Sequence, residues 1–293
     1  IYLLNNKIDL IDLGPKYFKI LPKNGYFKSR FSYIVIFLIS FIPLAKLILN
    51  DKPKYFIVHL ITSLPLLLNK FLNLKTNLIL RISGFPKLDY LRYNFWKFTS
   101  DKIYRVTCPS LDLKSQILQY KLFDTKKVFF LADPIINISE FKKIKNNLID
   151  FSKIKKNFFI SVGRLTRQKN FIYLLEEFYF FKKKNDNFNL LIFGEGEEKN
   201  ILQNKILKLG LKNQVFLMGY SDNIFSYMKK AKAFILSSLW EDPGFVLIES
   251  ALCNLPIISS NCKNGPTEFL ENGRGGYLFE SNKKDALSNK IFE

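Results

Sequence analysis

Two carboxylates, Glu241 and Glu249, stand eight residues apart in Ser-Ser-Leu-Trp-Glu-Asp-Pro-Gly-Phe-Val-Leu-Ile-Glu-Ser (237–250). The first falls in a loop after the apolar run Ala233–Leu236. The second falls where the pattern turns helical, from about Phe245. At about 1.5 Å of rise per helical residue, that spacing separates the two carboxylates by roughly 12 Å. A ligand of that length is a sugar ring joined to a ribose across a diphosphate. Ionised carboxylates suit both ends, because each accepts hydroxyl hydrogen bonds. Between them Gly244 permits close backbone approach, and Phe245 and Val246 open a helix whose free N–H groups attract an anion. Taken alone, the pair reads more readily as two solvated acids than as a site.

Upstream, Phe-Ile-Ser-Val-Gly-Arg-Leu-Thr-Arg-Gln-Lys-Asn (159–170) runs from an apolar strand into Gly163 and Arg164, then Lys169 at a helix entry. Cations placed there meet a diphosphate. Downstream, Asn264-Gly265-Pro266-Thr267-Glu268 is another strand-to-helix turn. Gly194, Glu195, Gly196, Gly219, Tyr220 and Ser237 also fall at carboxyl ends of expected strands, where open α/β sheets bind ligands. Gly194-Glu195-Gly196 lacks the third glycine of a dinucleotide fingerprint and reads as a bend ending a strand.

In order and spacing these segments resemble the retaining glycosyltransferases of family 4, the group 1 transferases of GT-B fold. The resemblance is dense from about residue 157 to 280, and weaker but continuous from 50 to 136. It implies a nucleoside diphosphate sugar as donor, a retained anomeric configuration and no cofactor. It implies that Arg164 and Lys169, beside Gly163, hold the donor diphosphate. Glu249 accepts the ribose hydroxyls and Glu241, the catalytic position, accepts those of the donor sugar. Gly244, Phe245 and Val246 offer backbone N–H groups, and Tyr220 lies near the base. The Gly-Pro-Thr-Glu turn matches a family segment near the sugar, although Glu268 also reads as a helix-start acid favoured by the dipole. Family members often carry a histidine near the donor sugar where this chain has Ser83, in Leu80-Arg81-Ile82-Ser83-Gly84. His59 sits inside an apolar strand and reads as a packed, hydrogen-bonded side chain. His59 and Ser83 are the possible acceptor-side residues. No Asp-x-Asp pair is present to hold a divalent ion on a diphosphate. No metal is therefore expected, and cations and helix N-termini neutralise the leaving group instead.

The rest of the composition bounds these readings. In 293 residues, 48% hydrophobic content suits a buried core and excludes disorder. A net charge of +20 favours anionic partners: nucleotides, acidic lipid headgroups or nucleic acid. Cys108, Cys253 and Cys262 lack metal-ligand spacing and read as reduced, buried thiols. A single histidine leaves a catalytic cysteine without an evident base.

Strand and helix patterns alternate twice, as doubly wound sheets do. The expected architecture is α/β: two Rossmann-like domains facing a cleft. The acceptor-side domain covers 1–136, a basic linker 137–156, and the nucleotide-sugar domain 157–293. Both ends look cut, with a first strand, a glycine-rich loop and closing helices absent. The most apolar run, Tyr33–Ala45, is flanked by Lys16, Lys19, Lys23, Lys28, Arg30 and Lys46. It fits a buried helix, a helix in the membrane interface anchored by its basic flank, or, less well for its length and Pro43, a membrane span.

The leading expectation is a cytoplasmic transferase, peripheral to the inner face of the cell membrane. It would act on a lipid-linked glycan or lipopolysaccharide acceptor at an anionic membrane surface. A soluble transferase acting on a small sugar or glucan is the alternative within the class. A non-catalytic partner subunit and a nucleic-acid-binding protein are the alternatives outside it; no nucleic-acid-binding motif appears, so nucleic acid is not an expected partner.

Overall fold

The computed structural model describes residues 9, 11–13, 26–59, 63–72, 74–86, 88–134, 141, 157–185 and 187–292. The linker expected at 137–156 lies outside them, apart from Phe141. Two compact units emerge. The first takes the chain up to Ile82, Lys87–Thr107 and Tyr120–Phe129; the second takes Ser83–Pro86, Cys108–Gln119 and Phe130–Glu293. The two segments that join the second unit follow strands of the first, and specific contacts described below hold them there.

In the first unit, helix α1 (Tyr26–Asp51) leads to strand β1 (Tyr55–His59), α2 (Ser63–Phe71), β2 (Asn77–Arg81), α3 (Tyr90–Thr99), β3 (Arg105–Cys108) and β4 (Val128–Phe130), while α4 (Leu111–Gln119), which lies between β3 and β4 in the chain, packs with the second unit. The sheet order is β1-β2-β3-β4, and the β1–β2 and β2–β3 pairs are parallel. Asp89 caps α3 by accepting the Arg92 N–H, and Ser110 caps α4 by accepting the Leu113 N–H at 3.1 Å. Leu78, Leu80 and Val106 are fully buried on one face of this sheet.

The expectation of a packed His59 in a buried strand needs correction here. The apolar run at β1 is not buried on both faces: Tyr55 and Ile57 are exposed, while Val58 is buried. His59 shares their side of the strand and is exposed too, not packed. Among the described residues, this apolar run forms the edge strand of its sheet. Helix α1 is likewise only half buried. Leu44 and Ile48 pack against Leu64 and Leu68, but Phe31, Ile34, Leu38, Ile42 and Leu49 remain exposed, with Leu38 at 65%. By length and composition alone, residues 31–51 suffice to cross a membrane.

The second unit is built on β5 (Asn157–Val162), α5 (Phe171–Lys184), β6 (Phe188–Phe193), α6 (Lys199–Lys208), β7 (Val215–Gly219), α7 (Ile224–Met228), β8 (Ala233–Leu236), α8 (Phe245–Leu252), β9 (Ile257–Ser260), α9 (Pro266–Phe269), β10 (Tyr277–Phe279) and α10 (Ala286–Phe292). Their order in the sheet is β10-β9-β8-β5-β6-β7, with each described pairing parallel. Alternate residues feed two cores. Phe159, Leu190, Ile192 and Ile235 face Phe171, Leu174 and Phe178 of α5. Phe158, Ile160, Leu191 and Phe234 face Met228 and Leu247 on the other side. Helices on both faces explain why these strands read as unbroken apolar runs. Each fully buried Phe or Leu contributes about 1.5–3 kcal/mol, so this sandwich holds the strand ends rigid. Strand order reverses between β5 and β8, the topological switch point where doubly wound sheets open a crevice for ligands.

Candidate active site at the β5–β8 switch point

The loop that leaves β5 is stitched to those that leave β6 and β8. The Gly163 N–H donates to the Phe193 carbonyl at 2.9 Å, and the Leu165 N–H donates to the Glu195 carbonyl at 2.9 Å. A β-carbon on Gly194 would stand 1.9 Å from the Gly163 carbonyl oxygen, at a φ of +134°. The Gly-Glu-Gly segment is thus a bend that lets one loop lie on another, as its missing third glycine suggested. Lys169 closes a 3₁₀ turn, Arg167–Lys169, and its carbonyl accepts the Ser237 hydroxyl at 2.8 Å. The Leu239 N–H donates to the Gln168 carbonyl at 2.9 Å.

That stitching brings Lys169 to Glu241, 72 positions away, with Nζ–Oε1 at 2.6 Å. The same oxygen accepts the Ser238 hydroxyl at 2.5 Å. Glu241 is 3% exposed, so its charge is stable only because it is paired and hydrogen-bonded. Both contacts fall on Oε1, and among the described residues no partner meets Oε2. Lys169 was expected to serve a diphosphate alone; it also orients Glu241, and an ammonium has two further N–H groups to give. Arg164 lies exposed at the end of β5, and its charge is felt by Asp242 together with those of Lys169 and Glu241.

Glu241 is followed by a non-helical turn to Gly244, which holds the N-cap of α8 at φ +86° with no side-chain cap. Phe245 and Val246 therefore present first-turn N–H groups, and no acid stands in that turn to occupy them. Only the stretch from Phe245 to Glu249 rises as a helix, about 6 Å, so the 12 Å helical spacing covers half of the span. Glu249 is partly exposed and, among the described residues, its carboxylate has no hydrogen-bond partner. Burial alone pushes its carboxyl above the usual range. A half-buried carboxylate without a partner is the sort of group a ligand completes. Tyr220 is exposed at the end of β7, and its hydrogen bond with Asp222 pushes its phenol up.

The downstream turn braces this loop. A β-carbon on Gly265 would stand 1.9 Å from the Pro243 carbonyl oxygen, at φ +138°. Glu268 takes the helix-start role, but on a different helix: its two oxygens accept the Leu111 N–H at 2.9 Å and the Asp112 N–H at 3.0 Å, in the first turn of α4. The Asp112 carboxylate accepts the Asn264 N–H at 2.9 Å in return, and Gln116 donates to Asn264. Reading the sequence alone missed this lock, because its partners lie more than 140 positions apart. It also missed Ser238 and Asp242, small polar residues in a stretch already examined for its glutamates.

Ser83 belongs to this unit, while His59 belongs to the first. Burial pushes the Cys262 thiol up to about 12, which makes it a poor nucleophile. Among the described residues no group of three or more His, Cys, Asp or Glu side chains could hold a metal ion.

The family model for glycosyl transferases group 1 matches residues 144–293. An uncharacterized glycosyltransferase of Methanocaldococcus jannaschii is 32% identical over 246 residues, 77% of this chain and 60% of that protein. An α-1,4-N-acetyl-D-galactosaminyltransferase of Campylobacter jejuni, named for a diNAcBac-PP-undecaprenol glycan, is 29% identical over 258 residues, 86% of this chain and 68% of that one. The chain thus spans less than two thirds of the archaeal relative's length. Among solved structures, a glycosyltransferase from Rickettsia africae superposes with a TM-score of 0.72 at 19% identity, over 96% of this chain and 77% of that one. The parallel α/β units are those of the GT-B fold, and the chain belongs to the group 1 family of glycosyltransferases.

Proposed function

We propose that the chain binds a nucleoside diphosphate sugar at the β5–β8 switch point and transfers its glycosyl unit, with retention, to a lipid-linked or surface-glycan acceptor. One observation carries the donor half of this reading. The uncapped N-terminus of α8 lies close in the chain to two carboxylates, Glu241 and Glu249, each with at least one oxygen that meets no partner among the described residues, and two cations serve the same loop: Lys169 paired with Glu241, and Arg164, whose charge reaches Asp242. A ligand that is anionic at its centre and hydroxylated at both ends would complete all of these groups at once. In this reading the α8 N–H groups, Arg164 and the remaining Lys169 donors meet the diphosphate. They stabilise the charge that develops as the glycosidic bond breaks. Glu241, oriented through Oε1, offers Oε2 to the sugar hydroxyls. Glu249 takes the ribose hydroxyls. The acceptor attacks from the face that the diphosphate leaves, and no protein nucleophile is invoked.

The acceptor half draws on the relative named for a diphospho-undecaprenol glycan and on the net charge of +20. A basic protein suits a diphosphate-bearing lipid at an anionic surface. The exposed apolar side of α1 supports peripheral attachment, in which Phe31, Ile34, Leu38 and Ile42 enter the headgroup region. The test is transfer by the complete protein from a panel of UDP-, GDP-, ADP- and dTDP-sugars to an undecaprenyl diphosphate glycan, with product linkage read by NMR. Retained anomeric configuration supports the reading; absence of transfer from every donor, in protein shown to be folded, contradicts it.

A further inference from the structure

We propose that Asp242 is a positioning residue, whose carboxylate pins the Ser83–Pro86 turn against the Glu241 loop so that this turn forms a wall of the donor-sugar site. The inference rests on the donor-site reading above.

Asp242 sits between Glu241 and Pro243 and is exposed, unlike its neighbour. Its carboxylate lies against Gly84 so closely that a β-carbon there would stand 2.3 Å from Oδ1, 2.6 Å from Cγ and 3.0 Å from Oδ2. It also accepts a hydrogen bond from the Phe85 backbone N–H. Glycine at 84 is thus the residue that allows a carboxylate to reach the backbone of this turn. The contact explains why Ser83–Pro86 packs with the second unit while the strand before it, β2, belongs to the first.

The electrostatic setting makes this more than a surface contact. Partial burial and the Glu241 charge push the Asp242 carboxyl up, while Lys169, Arg164 and the Phe85 N–H draw it back down. The groups proposed to bind the donor are therefore the groups that surround Asp242. The loop that bears it is also held from the far side, where Gly265 lies against the Pro243 carbonyl. A turn tied to Asp242 inherits that rigidity. The placement gives Ser83 and the Gly84 backbone a fixed station next to Glu241, rather than one dependent on a flexible loop.

Three variants of the complete protein test the proposal: Asp242→Ala removes the acceptor, Asp242→Asn keeps a side-chain oxygen of the same reach, and Gly84→Ala displaces the carboxylate without removing it. Two readouts are needed, hydrogen exchange at the Phe85 amide in the ligand-free protein and kcat/KM with the sugar-nucleotide panel. Loss of a charge-assisted hydrogen bond predicts that Asp242→Ala and Gly84→Ala each speed Phe85 exchange, and lower kcat/KM, by about tenfold or more. The double variant should be no worse than either, and Asp242→Asn should restore most of both. Unchanged Phe85 exchange in Asp242→Ala overturns the clamp. So does an Asp242→Asn protein that keeps Phe85 protected but turns over as poorly as the alanine variant, because that outcome makes Asp242 a direct substrate contact. If the wild-type protein turns over no sugar nucleotide, the donor-site reading fails, and the exchange readout still decides whether the clamp exists.

Discussion

Glu249→Gln should change stability and ligand binding in opposite directions. The carboxylate is partly buried with no partner among the described residues, and burial raises its pKa in the folded chain. A raised acid pKa means that the folded state holds its proton more tightly than the unfolded state. Stability therefore falls as pH climbs from about the unfolded value, near 4.5, through the higher folded one, and the cost is complete at neutral pH. Glutamine removes that cost without changing volume. The ligand-free variant should melt at or above the wild-type temperature at pH 7, and the difference should vanish below about pH 4. With donor bound the order reverses. A carboxylate accepts two hydroxyls where the amide accepts one, and a charge-assisted hydrogen bond is worth about 1.5–3 kcal/mol. Dissociation constants should thus rise by roughly tenfold to a hundredfold. At a donor concentration of about one hundred times the wild-type Kd, ligand stabilisation is about 2.7 kcal/mol for wild type, and should fall to about 0.4–1.4 kcal/mol for the variant. Thermal melts with and without nucleoside diphosphate, at pH 4, 5.5 and 7, measure both signs in one experiment. A ligand-free variant that melts lower at pH 7, or an undiminished ligand shift, refutes the reasoning.

Other variants separate chemistry from architecture. Glu241→Ala should lower kcat more than it raises KM. It should also destabilise the fold by about 3 kcal/mol, because it strands the mostly buried Lys169 ammonium. Chemical denaturation and steady-state kinetics check the two parts. Glu268→Gln should cost about 1 kcal/mol by weakening the cap on α4, yet leave donor affinity within twofold by calorimetry. Leu38→Glu should reduce sedimentation with vesicles containing anionic lipid by tenfold or more while leaving the melting temperature within a few degrees, since that side chain is exposed. EDTA should leave turnover unchanged if helix N–H groups, Arg164 and Lys169 supply the positive charge.

The second unit was legible in outline, because its central strands β5, β6, β8 and β9 are buried on both faces and each continuous apolar run ends in a glycine or polar turn. The same rule misled at β1, where Tyr55, Ile57 and His59 face solvent on an edge strand. Apolar content does not say whether a second layer covers a sheet. Site residues divide in a similar way. Arg164, Lys169, Glu241, Gly244 and Glu249 could be named from local patterns, because strand ends and helix starts are local. The partnerships could not. The Lys169–Glu241 pair joins positions 72 apart, and Glu268 reaches helix α4 across 157 positions. Asp242 gave no signal of its own, since the role proposed for it depends on Gly84, where a β-carbon would displace the Asp242 carboxylate.

The central claim is that the N-terminus of α8 and its surrounding charges form the donor site. A crystal structure of the complete protein soaked with a nucleoside diphosphate tests it most directly. The account predicts a diphosphate at hydrogen-bond distance from the Phe245 and Val246 N–H groups and from Lys169 Nζ or Arg164, with a ribose on Glu249. A nucleotide bound elsewhere, with Glu249 still facing solvent, would contradict it.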